Sequence, residues 1–330
     1  MKIKRQKLIE LAFRETERRA AQNDVISGYL IGSVAAGNPN LGDTLDIDLI
    51  LIHENAPDTQ REIIRLSDQI HLDIFHHWRD LYSRPRDLRI HPWLGPAMSA
   101  PIFLYDPQHF FEWAQAGARG QFFRSDHVYA RAYAFLKRAR QAKSILPISG
   151  RWLKTYLRAA LEATNALISL TSAPAAGRRV MLDLERCART SGHADVYSSF
   201  LRLLGEDQFN AAHLPEWLSA WGLAFDEASA LSGEPDLSEC RRMYYLRGFQ
   251  ALAESGRPEA ALWTMLTTWE GAMHALDHNE SAGRHQPPWE AVLKRLRLSL
   301  ASKDSRAEEL ERHLDTIEGL LDTWAVQNGV

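Results

Sequence analysis

The stretch LDIDLILIH, residues 45–53, is the feature that most restricts what this chain can fold into. Apart from Asp46, Asp48 and the closing His53, every residue in it is Leu or Ile, the composition of a strand covered on both faces. An uncompensated carboxylate in such a setting costs as much as a whole domain's net stability. Side chains two apart on a strand share a face, about 6.8 Å from one another along the chain. Asp46 and Asp48 therefore project side by side, while Ile47 and Leu49 turn into the core on the other face. The fold has to bring positive charge to one place.

A third carboxylate has the same setting. Asp73 lies in HLDIFHHW, residues 71–78, which reads as the next strand of this kind. Paired strands lie about 4.8 Å apart, so pairing of the two runs brings three carboxylates together. Three such groups repel one another unless a cation lies between them. Hard oxygen ligands in that number suit Mg²⁺, which keeps waters and completes its shell with substrate phosphates. Upstream, VISGYLIGS (25–33) is a short β-rich run that ends at Gly32-Ser33, followed by the turn-rich loop AAGNPNLGD. SVAAG can open a short helix whose exposed N–H groups, beside a glycine that permits close approach, form a phosphate cradle. Ser33 adds a hydroxyl donor. Cradle and carboxylates together describe metal-assisted phosphoryl or nucleotidyl transfer.

GSVAAG, LDIDLIL and LDIF, in that order, resemble the glycine-serine, Asp-x-Asp and third-Asp signature of the DNA polymerase β-like nucleotidyltransferase superfamily. A small domain of that type followed by helices is similar to the aminoglycoside and lincosamide nucleotidyltransferases. The motifs cover residues 25–80; beyond them the likeness is one of architecture. The resemblance implies that Gly32 and Ser33 hold a triphosphate and that Asp46 and Asp48 bind the metals. Asp73 is then either a metal ligand or the base for an acceptor hydroxyl. It also implies two Mg²⁺ ions and ATP or another nucleoside triphosphate as donor. Val34-Ala35-Ala36 stands where many members carry a basic residue, and Leu45 where serine is common.

The rest of the first third alternates helix and strand patterns. MKIKRQKLIELAFRETERR reads as an amphipathic opening helix, too highly charged for a signal peptide. DTQREIIRLSDQI reads as a helix capped by Asp58 or Thr59, RPRDLRIHPWLGPAMSA as irregular, PIFLYDP as a strand and QHFFEWAQAG as a helix. Past residue 125 every apolar run has helical spacing, and no fixed-period repeat appears. The expected architecture is α+β: a small mixed-sheet nucleotidyltransferase domain over residues 1–120, then an all-α helical bundle over 121–330.

Several other residues invite a functional reading. His71, His76 and His77 suggest a transition-metal site, but the adjacent pair must point to opposite faces, so they read as solvated or packing histidines. Lys154, with Arg158 a turn later, can supply a phosphate-binding cation from the helical half, and Glu162 can serve as a base. The plainer account is a charged helix face with i, i+4 pairs, preferred for Glu162. Trp152, Trp217, Trp221, Trp263 and Trp269 read mainly as core.

Charge narrows the acceptor. The chain carries a formal net charge of −3, with 13 Lys/Arg against 16 Asp/Glu through residue 115 and 26 against 26 beyond. That balance argues against a nucleic-acid acceptor. The expected activity is transfer of a nucleoside monophosphate, AMP from ATP, to a hydroxyl of a small molecule held between the domains. An aminoglycoside-like polyhydroxyl cation suits an acidic cleft. The competing readings are a protein or RNA acceptor, and a nucleotide-binding sensor or antitoxin-like partner without catalysis. Two cysteines in 330 residues and no long apolar run suggest a cytoplasmic protein with no membrane partner.

Overall fold

The computed structural model describes residues 4–22, 24–37, 41–277 and 282–330, so residues 38–40 of the expected turn-rich loop lie outside the described residues. Chain contacts divide it into two compact units, Met1–Arg124 and Ser125–Val330. The first holds a mixed sheet and the second is helical.

In the first unit the strands are β1 (Val25–Leu30), β2 (Leu45–His53), β3 (Arg61–Arg65), β4 (Ile70–Trp78) and β5 (Ile102–Tyr105). They lie in the order β3-β4-β2-β1-β5, which puts the Leu/Ile-rich β2 in the centre. β2 and β4 run parallel, and the remaining neighbours are antiparallel. Helices α1 (Arg5–Ala20), α2 (Gly32–Ala35), α3 (Leu94–Ser99) and α4 (Phe110–Arg119) complete the unit.

Strand alternation then sorts the side chains into two cores. On one face Ile47, Leu49, Leu51, Leu72 and Ile74 pack with Leu8 and Ala12 of α1. On the other, Tyr29, Ile50 and Ile52 pack with Met98 of α3 and Phe111 and Ala114 of α4. Tyr29 and Phe111 stack with ring centroids 4.0 Å apart. Asp46 and Asp48 belong to this second face, next along β2 from the buried Ile50.

Two local expectations fail. The segment expected as a helix from Asp58 is β3, an edge strand paired antiparallel with β4. Its two central isoleucines fit either period, and long-range pairing decides: Ile64 reaches the α1-side core, while Arg61, Ile63 and Arg65 turn to the opposite face. RPRDLRIHPWLGPAMSA is likewise not wholly irregular, because Leu94–Ser99 forms α3.

The second unit contains α5 (Ser125–Ser144), α6 (Trp152–Ile168), α7 (Val180–Thr190), α8 (Ala194–Leu203) and α9 (Leu214–Leu231). α10 (Arg241–Glu254), α11 (Leu262–Leu276), α12 (Ala282–Arg295) and α13 (Lys303–Asn328) follow, with no strand among the described residues. Trp152, Trp217, Trp221, Trp263 and Trp269 are all buried, as their helical spacing suggests. Trp221 donates Nε1–H to Thr268 Oγ1 at 2.9 Å. No helix among the described residues is long and apolar enough to cross a membrane.

Candidate active site

The parallel register of β2 and β4 sets Asp48 opposite Asp73 and Asp46 opposite His71. Asp46, Asp48 and Asp73 thereby each offer a carboxylate oxygen within 4.8 Å of the others. Asp73 is buried and the other two are half-buried. The expectation of convergence depended on these two strands pairing, and they do.

Asp73 brings a partner that the sequence reading did not name. Arg61 of β3 donates Nε–H to Asp73 Oδ1 at 2.8 Å and Nη2–H to Oδ2 at 2.7 Å. Its guanidinium lies over the Phe75 ring, 5.0 Å from the centroid, and Phe75 is its cross-strand register partner. This forked arrangement is the strong geometry for a carboxylate. A single strand carboxylate often forms an ion pair, and Asp73 does so while also belonging to the triad. Reading REIIR as a strand would have placed Arg61 on the carboxylate face; reading it as a helix hid that.

The Gly32-Ser33 corner closes against the same carboxylates. Ile31 N–H donates to the Asp48 carbonyl at 3.0 Å, so the chain leaving β1 lies directly beside β2. Gly32 sits at φ +67°, and a Cβ there would fall 1.9 Å from Asp48 Oδ2. Both facts require glycine, and the second arises from backbone passing close to a carboxylate. The hydroxyl of Ser33 is buried with no hydrogen-bond partner among the described residues. From α1, Arg5 holds the end of α2 by donating to the carbonyls of Val34 at 2.7 Å and Ala35 at 2.8 Å.

The residues fit a divalent metal and a phosphate. Three hard oxygen donors converge, a glycine backbone approaches without a side chain, and Ser33 has hydrogen-bonding capacity to spare. The donor set contains no sulfur and no imidazole, which favours Mg²⁺ or Mn²⁺ over softer ions.

The histidines have other work. His76 and His77 do point to opposite faces, but neither is simply solvated. His76 is buried on the α1 side in a hydrogen-bonded run from Asp24 Oδ1 to His53 Nδ1 at 2.9 Å, then His53 Nε2 to His76 Nδ1 at 2.8 Å. The run continues from His76 Nε2 to Glu62 Oε1 at 2.9 Å, and Arg19 of α1 meets the same oxygen at 2.7 Å. Burial pushes His76 down from its ordinary value, and the neighbouring Glu62 works against that push. On the opposite face, His77 Nδ1 accepts from or donates to the Tyr82 hydroxyl at 2.6 Å, and burial lowers its pKa to about 4.

The residues proposed from the helical half lie in the second unit. Lys154 and Arg158 are exposed on α6. Glu162 is half-buried, and its Oε2 has no hydrogen-bond partner among the described residues. Burial raises its pKa, with Arg138 and Arg158 pulling the other way. Comparison with known proteins finds no family model that matches the chain and no curated protein that matches it.

Proposed function

We propose that this chain is a Mg²⁺-dependent nucleotidyltransferase that moves a nucleoside monophosphate, AMP from ATP, onto a hydroxyl of a small molecule. The observation that carries the reading is the Asp48–Asp73 register, which makes one oxygen-donor site of carboxylates far apart in sequence. Asp46, Asp48 and Asp73 would hold the metal, which when bound neutralises phosphate charge and favours attack at the α-phosphate. Gly32 and Ser33 would receive the triphosphate: the glycine by leaving room beside Asp48, the serine by donating its hydroxyl. Lys154 is the candidate for an additional phosphate contact. The balanced charge of the chain favours a small acceptor over a nucleic acid, and a polyhydroxyl cation of the aminoglycoside kind suits the acidic triad.

The test is a thermal-shift series with ATP, GTP, CTP and UTP, each with and without Mg²⁺, followed by a panel of hydroxylated acceptors assayed for pyrophosphate release. Stabilisation by nucleotide only with Mg²⁺, and its loss in Asp46→Asn, is the expected result. Nucleotide stabilisation with no turnover on any acceptor would favour the sensor reading. No response to any nucleotide would sink both.

A further inference from the structure

We propose that Arg61 is a resident counter-charge for Asp73 that weakens the triad's hold on a free divalent cation, so that metal is retained only when phosphate oxygens join it. This rests on the metal-site reading above and adds to it a cause for when metal binds. Asp73 is 2% exposed, and both its oxygens accept from one guanidinium. A carboxylate that deep needs a positive partner in the folded chain, and Arg61 is there before any ion arrives. The partner is also held in place. It comes from an edge strand whose register fixes it opposite Phe75, and the ring lies under the guanidinium plane.

Beside the fork, Asp73 still offers a carboxylate oxygen within 4.8 Å of those of Asp46 and Asp48. What Arg61 changes is the electrostatics. A fixed positive charge within hydrogen-bonding distance of a ligand repels an incoming dication and offsets part of the charge that attracts it. Mg²⁺ normally completes its shell with substrate phosphates, so a site so weakened draws a larger share of its affinity from the nucleotide. The carboxylates then take up the ion together with its triphosphate rather than alone.

The experiment is a Mn²⁺ titration of the full chain without nucleotide, followed by electron paramagnetic resonance, with thermal melts in EDTA and in Mn²⁺. Wild type, Arg61→Gln, Arg61→Lys and Asp46→Asn are compared. Arg61→Gln should bind free Mn²⁺ about tenfold more tightly than wild type, the size expected for one nearby charge. It should melt lower than wild type in EDTA and gain more from Mn²⁺. Arg61→Lys, which keeps the charge, should stay near wild type. Equal or weaker binding by a folded Arg61→Gln overturns the proposal and makes Arg61 a plain structural tie or a ligand-positioning group. If Arg61→Gln does not fold even with Mn²⁺, the double variant Arg61→Gln/Asp73→Asn decides. It should fold, since the carboxylate that needed the charge is gone, and failure to fold overturns the proposal. Failure of the underlying reading looks different: wild type shows no saturable Mn²⁺ binding and Asp46→Asn changes nothing, which removes both.

Discussion

The two faces of one sheet treat buried charge in opposite ways. On the α1 side, Asp24, His53, His76, Glu62 and Arg19 form a line in which each acid meets a basic group and the two imidazoles meet each other. On the other side, Asp46, Asp48 and Asp73 point three like charges at one place. Such a line of partners satisfies itself and ties together α1, the residue before β1, and strands β2, β3 and β4. A convergence of like charges is unfavourable unless positive charge joins it: Arg61 supplies part of that from within the fold, and a bound cation would supply more. The arrangement of charge, more than its amount, separates a clamp from a site.

The sharpest way to break this contrast is to remove one charge from each set. Asp48→Asn should reduce nucleotidyl transfer by about a thousandfold or more, the scale of losing an electrostatic group at a reaction centre. Its melting temperature should equal or exceed that of wild type, because a repulsion is relieved. Assay and melt belong on one preparation, and an active Asp48→Asn would end the catalytic reading of the triad. Gly32→Ala gives a second view of the same site. The added methyl meets Asp48 Oδ2, so activity should fall with Asp48 itself intact.

The mirror experiment is His76→Ala. Removing a member of that line leaves Glu62 and His53 short of a partner, which should cost about 2–4 kcal/mol of stability. The protein that remains folded should keep its metal and nucleotide response. A His76→Ala variant that melts normally but loses Mn²⁺ binding would erase the distinction between the faces.

A histidine with no carboxylate beside it sharpens the comparison. His313, buried in the second unit, meets Ser199 at 3.0 Å, and burial lowers its pKa from 6.5 to about 4. The folded state therefore disfavours the imidazolium relative to the unfolded chain. The stability from neutral His313 is complete above pH 6.5 and is lost as pH falls toward about 4. The full loss is about 3 kcal/mol by the linkage relation. His77 adds to the loss over the same range, by less because it is only half-buried. His313→Gln should flatten the acid limb of the stability profile measured by urea unfolding. In ¹⁵N spectra at neutral pH, His313 should read as a neutral imidazole.

The smallest effect is expected at Lys154. An exposed lysine that contacts a phosphate contributes about 1–3 kcal/mol to nucleotide binding. Lys154→Ala should raise the KM for nucleotide accordingly and leave the melting temperature unchanged, with Arg158→Ala as the neighbouring control. Unchanged KM in both would restrict phosphate binding to the first unit.

Much of this was legible in local pattern. Composition alone marked β2 as a buried strand. Period two put Asp46 and Asp48 on one face, and the buried tryptophans follow from helical spacing. The change from a mixed sheet to helices is visible as a change in period near residue 125. These features are local, and the physics that sets them acts within a few residues.

Only the tertiary structure could decide who meets Asp73. Its partner lies on a five-residue edge strand whose own sequence fits a helix nearly as well, and long-range pairing with β4 settles the matter. The same holds for His53 and His76. They meet because β2 and β4 run parallel, in a register that sets Leu51 opposite His76, with His53 two residues further along β2 on the same face. Which residues carry charge toward one another is thus fixed by strand order and register, and these depend on hydrogen bonds between distant segments. The sequence by itself determined where the carboxylates point; the sheet decided which of them converge and where the arginine stands.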